Sequence, residues 1–148
     1  MKAITVAKLF LFWNKKFKDN PITNLKLQKL LYYAQGLSFI ELKKELFSDN
    51  IIANIYCPDV PNVYNRFKHF KNSYIEYNIN EDLYIEKKFN KETLNFLKEF
   101  YEAYSIMPAF ELSEQKVLFE PNKNTYLNKK KDKTIKKTLI KKYFEEWK

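Results

Sequence analysis

The chain has 148 residues, 45% hydrophobic and 18% aromatic, enough for one domain with a substantial core. One Gly and five Pro exclude a turn-rich all-β fold, which needs Gly at many tight turns. The formal charge of +9 suits an anionic partner (nucleic acid, an acidic protein or a membrane surface), yet Arg66 is the only arginine among 27 basic residues, a bias that AT-rich coding also produces.

Residues 5–18 read as a first helix, with Val6, Leu9, Phe10, Trp13 and Phe17 on one face and Lys15, Lys16 and Lys18 in its last turn. Pro21 stops it. Thr23 or Asn24 then caps a second helix reaching Glu41, apolar at Leu27, Leu30, Leu31, Ala34 and Leu37 and again off that face at Leu25, Tyr32 and Tyr33. A helix apolar nearly all round belongs in the middle of a domain. Gly36 lies inside it, where Gly costs about 1 kcal/mol relative to Ala, and close approach of a neighbouring helix is the expected reason. Residues 51–56 fit a short strand or a helical turn. Pro58 and Pro61 make 57–61 a loop, with Asp59 placed to cap a helix carrying Val63, Tyr64, Phe67 and Phe70.

The β-branched and aromatic residues from Tyr74 to Ile85 suggest a small hairpin closed by Asn80-Glu81-Asp82. Asn90 caps a helix to Tyr104, striped by Leu94, Leu97, Phe100, Tyr101 and Tyr104, and another starts near Met107-Pro108. Residues 116–128, with Pro121 and three Asn, read as a loop, and 128–133 form the most basic run. A last helix starts near Asp132 and carries Ile135, Leu139, Ile140, Tyr143, Phe144 and Trp147. The expectation is a mainly α fold: a single compact helical domain over 1–148, of six or seven helices with one small β-hairpin.

Cys57 and His69 each stand alone, which excludes an intramolecular disulfide, Cys/His zinc clusters and any arrangement needing a second His. One Gly excludes Gly-rich phosphate loops. The paired carboxylates Glu41 and Glu45, and Glu81 and Asp82, read as surface acids among lysines. No cofactor and no catalytic set is expected. Lys8 interrupts the N-terminal apolar run and no run reaches a membrane span, so the reading is a soluble cytoplasmic protein with no membrane partner. A non-enzyme of this size works by contact.

Two motifs carry a family resemblance. Ile22-Thr23-Asn24-Leu25-Lys26-Leu27-Gln28-Lys29-Leu30-Leu31-Tyr32-Tyr33-Ala34-Gln35-Gly36 resembles the signature of the Panacea antitoxin domain family, the SocA- and GepA-like phage-associated proteins. Downstream, Leu46-Phe47, Ala53 and Tyr56-Cys57-Pro58-Asp59-Val60-Pro61-Asn62-Val63-Tyr64 resemble the family's second motif in order and spacing. Asn54 stands where the family usually has Trp, Cys57 where it has Gly and Asp59 where it has Val; losing Gly removes a residue that permits positive φ. The closing helix, Ile135 to Phe144, is also similar, whereas the family's histidine and Pro-Trp segment is not recognisable between Ser113 and Tyr126.

The resemblance implies an antitoxin that neutralises a cognate toxin by direct binding, with a cellular protease as a second partner where it serves as an adaptor. It implies no catalytic residues. Tyr56, Cys57, Pro58, Asp59, Tyr64 and Arg66, in and just after the Pro loop, are the expected partner contacts, with Tyr and Arg as hot spots. The alternative is a basic nucleic-acid-binding or phage-derived regulatory module using the lysines of 128–142.

Overall fold

The computed structural model describes residues 1–147. Its described residues form seven α-helices: α1 (Ala3–Lys16), α2 (Asn24–Glu41), α3 (Pro61–Phe67), α4 (Lys91–Tyr104), α5 (Ala109–Glu114), α6 (Lys116–Leu127) and α7 (Lys137–Trp147). The fold is mainly α, as composition and periodicity predict.

Helix α2 is the axis of the fold. Thr23 Oγ1 caps it by accepting the Lys26 N–H at 3.2 Å, and every residue from Leu27 to Ser38 is buried. Gly36 is where α7 crosses: a Cβ there would lie 2.0 Å from Cε2 of the Phe144 ring. Phe144 is fully buried against Tyr32 and Tyr33, so the one Gly is a packing requirement.

The polar residues of α2 tie other segments to it. Gln35 donates from Nε2 to the Phe47 carbonyl at 2.9 Å, and its Oε1 accepts the N–H groups of Leu46 and Phe47. Lys26 donates to the Ser105 carbonyl at the C-terminus of α4, where a cation favours the helix dipole. Lys29, only 4% exposed, donates to the Ala109 carbonyl at 3.1 Å. Burial pulls both ammonium pKa values below their ordinary value.

The segment 116–128 departs from the sequence reading. It is helix α6 with Pro121 inside it, not a loop. Pro lacks the N–H that would bond the carbonyl four residues back, which is that of Val117. The buried Tyr32 hydroxyl donates to that carbonyl at 2.7 Å. Its neighbour Tyr33 donates at 2.5 Å to the Leu112 carbonyl, in the last turn of α5, where extended Gln115 breaks the helix. The paired tyrosines of the signature thus satisfy carbonyls that a continuous helix would have bonded itself.

The expected hairpin over 74–85 is also absent. Tyr74 pairs with Thr23 and Ile75 N–H donates to the Ile22 carbonyl, so the extended piece is used against the start of α2. The rest turns through 3₁₀ segments at Ile79–Asp82 and Ile85–Lys88, the first capped by Asn78. Ile85 is buried and packs with α1.

Smaller differences follow from element ends. Helix α1 stops at Lys16, so Phe17 leaves the buried stripe and is exposed. Helix α2 ends at Glu41, so Glu45 is off the helix, paired with Lys137 at 2.9 Å. Helix α7 starts at Lys137 rather than near Asp132, and Ile135 is buried in an extended segment whose N–H donates to the Ile51 carbonyl. Val60, not Asp59, holds the N-cap position of α3.

Candidate functional site

Residues 51–60 form a loop that bends at 55–57, folds back on itself and is pinned at several points. Ile52 and Asp59 exchange both backbone hydrogen bonds, at 2.8 and 3.0 Å. The side-chain amide of Asn122, on α6, bonds the Asn54 N–H and carbonyl, each at 3.0 Å. The Asn54 side chain in turn donates to Asp59 Oδ2 at 3.0 Å. From the other side Gln28 Oε1 accepts the Val60 N–H at 2.8 Å. One turn earlier on α2, Asn24 accepts from Gln28 and donates to the Tyr64 carbonyl at 3.1 Å. Two amide side chains of the signature helix therefore set the position of both the loop and α3.

Between the start of α2, this loop, α3 and the turn at 68–72 lies a groove of about 510 Å³. Of the six expected contact residues, Tyr56, Cys57, Asp59 and Tyr64 line it. Tyr56 is 86% exposed and Tyr64 43%. Cys57 is buried at the wall, and burial pushes its thiol pKa up, opposed by the nearby Lys29 ammonium. The half-buried Asp59 carboxyl is raised by burial as well, with the Asn54 hydrogen bond acting against the shift. The other two expected residues fall elsewhere. Pro58 is buried in the loop interior, and Arg66 is exposed outside the groove, where its charge acts on Tyr77.

The groove also contains residues that sequence reasoning did not assign to a site: Leu25, Lys68, Lys71 and Asn72. Leu25 is 50% exposed although it sits on the most buried helix of the chain. Its position off the apolar stripe of α2 was the available signal. Lys71 offers none. Its backbone has φ 54° and ψ −123°, a conformation that suits Gly, and it turns the chain from the 3₁₀ segment Lys68–Phe70 toward Tyr74.

The site presents apolar and aromatic surface with a few fixed polar groups, an arrangement suited to binding. Ile55, 62% exposed, extends that surface beside Tyr56. Among the described residues, no three His, Cys, Asp or Glu converge as metal ligands, and no helix is long and apolar enough to cross a membrane.

The family model described as "Antitoxin SocA-like, Panacea domain" matches residues 27–147. No curated protein and no solved structure matches the chain.

Proposed function

The chain belongs to the SocA-like Panacea family of antitoxins, and from that premise we propose that it neutralises a toxin in the cytoplasm by direct protein–protein binding, without catalysis. The observation that supports this reading is the cluster of exposed apolar side chains around the groove. Leu25, Ile55, Tyr56 and Tyr64 stay in water while hydrogen bonds from Asn122 and Gln28 hold the loop backbone at Asn54 and Val60. Such a patch on a fixed scaffold needs little ordering on association, which lowers the cost of binding. Neutralisation acts by occlusion: the toxin surface that meets this patch is removed from its own target. Protease delivery would be a second step, in which the bound toxin is handed to a cellular protease.

The experiment is co-expression with the toxin encoded beside this gene. Restored growth and a complex on size exclusion are expected. Tyr56→Ala, at an 86% exposed side chain, leaves the melting temperature unchanged and weakens the complex by roughly tenfold or more, the scale of an aromatic hot spot. Unrelieved toxicity with no complex refutes the reading. Toxin half-life in cells, measured with and without the chain, tests the protease step: an unchanged half-life removes it.

A second reading, nucleic-acid binding, is supported by the exposed lysines of 129–131 beside a shallow cleft that includes Lys130 and Lys136. It predicts duplex binding that weakens steeply with salt. Flat retention on heparin at low salt removes it.

A further inference from the structure

The groove has a polar direction. Residue by residue along α2, Gln28 holds the Val60 N–H, Asn24 holds the Tyr64 carbonyl and Thr23 pairs with Tyr74. Asp59 therefore lies at the Gln28 end, while Lys71, three residues before Tyr74, lies at the Thr23 end with Lys68. At 1.5 Å per helical residue these ends, five residues apart on α2, are about 7.5 Å apart along the axis. Leu25 and Tyr64 occupy the space between, and Tyr56, three residues before Asp59 in the same loop, lines the groove as well.

Charge is unbalanced along this line. Among the described residues, the ion pairs are Lys116–Glu120, Lys137–Glu45 and Lys141–Glu145, and neither groove lysine takes part. The first turn of α2, which opens at the same end, contains no acidic residue, so its dipole adds to the positive potential there. The single groove carboxylate, Asp59, is already engaged by Asn54 at the opposite end. The backbone of Lys71 stays in a conformation that suits Gly, yet the position holds a long cation that lines the groove.

We propose that the groove is the seat for an extended acidic segment of the partner protein, with a carboxylate at Lys68 and Lys71 and an apolar side chain two residues away between Leu25, Tyr56 and Tyr64. In an extended chain, side chains two residues apart share one face and are about 6.6–7 Å apart, so a segment held at the lysine end runs past Leu25 and Tyr64 toward Asp59. Asp59 disfavours a continuous polyanion: a nucleic-acid backbone following the groove would bring a phosphate against that carboxylate, whereas a peptide places a neutral or apolar residue there. The proposal deepens the antitoxin reading and rests on it for the source of the segment, the toxin.

The test has two arms. In the first, the complex with the toxin encoded beside this gene is treated with a zero-length carbodiimide cross-linker and mapped by mass spectrometry. Cross-links from Lys68 and Lys71 to Asp or Glu within one toxin segment are expected. The Lys68→Glu/Lys71→Glu double variant, changed only at exposed side chains and checked by melting temperature, should lose at least tenfold in affinity at low salt. A Lys replacing the cross-linked toxin acid should restore it. A complex that forms with cross-links elsewhere and no loss in the double variant overturns the groove assignment and leaves the antitoxin reading standing. In the second arm the chain alone selects from a random twelve-residue peptide library. Enrichment of acidic peptides that the double variant no longer retains supports the groove even where no toxin complex forms, an outcome that sinks the antitoxin reading instead. Enrichment of basic peptides, or capture of duplex DNA that the double variant abolishes, overturns the proposal.

Discussion

Gly36→Ala offers a sharp test of the packing, because local and tertiary effects have opposite signs. In an isolated helix the change gains about 1 kcal/mol. Here the new methyl would lie 2.0, 2.2 and 2.4 Å from three ring carbons of Phe144. Carbon atoms rest about 3.5–4.0 Å apart, so the ring must retreat by at least about 1.5 Å. It has no room to do so. Phe144 is fully buried, with Tyr32, Tyr33 and Trp147 ring centroids 5.6–5.7 Å away. Either α7 lifts or the ring is expelled. Overpacking costs about 1–3 kcal/mol and loss of a buried Phe about 3–5 kcal/mol. A ring that must retreat this far takes the upper overpacking cost or the loss of the Phe, about 3–5 kcal/mol, so set against the helical gain the expected net loss is about 2–4 kcal/mol, or roughly 4–16 °C in melting temperature for a chain of this size. Urea denaturation followed by circular dichroism measures it. Phe144→Ala in the same background should relieve the clash, giving a coupling energy of about 1–3 kcal/mol in the double-mutant cycle. A Gly36→Ala protein as stable as the parent or more so, with no coupling to Phe144, would refute the reasoning.

Tyr32→Phe removes the hydroxyl that serves the Val117 carbonyl and should cost about 1–3 kcal/mol, the penalty for a buried acceptor left unpaired. With Pro121→Ala present, the new N–H serves the same carbonyl, so the Tyr32→Phe cost should fall below about 1 kcal/mol; equal costs in both backgrounds, from denaturation midpoints, would count against the pairing. Burial raises the Asp59 pKa above its ordinary value of 3.8, so its contribution to stability is full below that value and is lost as pH rises through the folded pKa. Asp59→Asn keeps an acceptor for Asn54 and should be the more stable protein near neutral pH, by less than about 1 kcal/mol at this half-exposed site, with the difference vanishing below pH 3.8. Thermal melts across that range check the sign, and a deficit in the variant at neutral pH would reverse it.

The features legible in the amino-acid order are the local ones. Apolar spacing located α2 from Asn24 to Glu41; Thr23, one of the two residues placed to cap it, does so, and Asn90 caps α4 as its position predicted. Gly36, expected at a close helix contact, meets Phe144 there. Capping and periodicity are settled within a few residues of chain, so no distant partner is needed to see them. Four of the six expected contacts line one groove for a similar reason: they fall within the nine residues from Tyr56 to Tyr64, which lead from the bend at 55–57 through Pro58 and Pro61 into α3.

Tertiary contacts decided the rest. Pro121 signals a break in isolation, yet α6 continues through it because Tyr32, from another helix, bonds the freed carbonyl. The strand-like run from Tyr74 to Ile85 forms no hairpin because its pairing is taken by Ile22 and Thr23 and its 3₁₀ segments at Ile79–Asp82 and Ile85–Lys88 lie against α1. Pro58 turned inward and Arg66 outward of the groove, while Leu25, Lys68 and Lys71 entered it, once Gln28 and Asn24 had fixed the loop and α3 against α2. A residue's neighbours along the chain set its backbone preference; whether its side chain meets water, core or groove depends on elements tens of residues away.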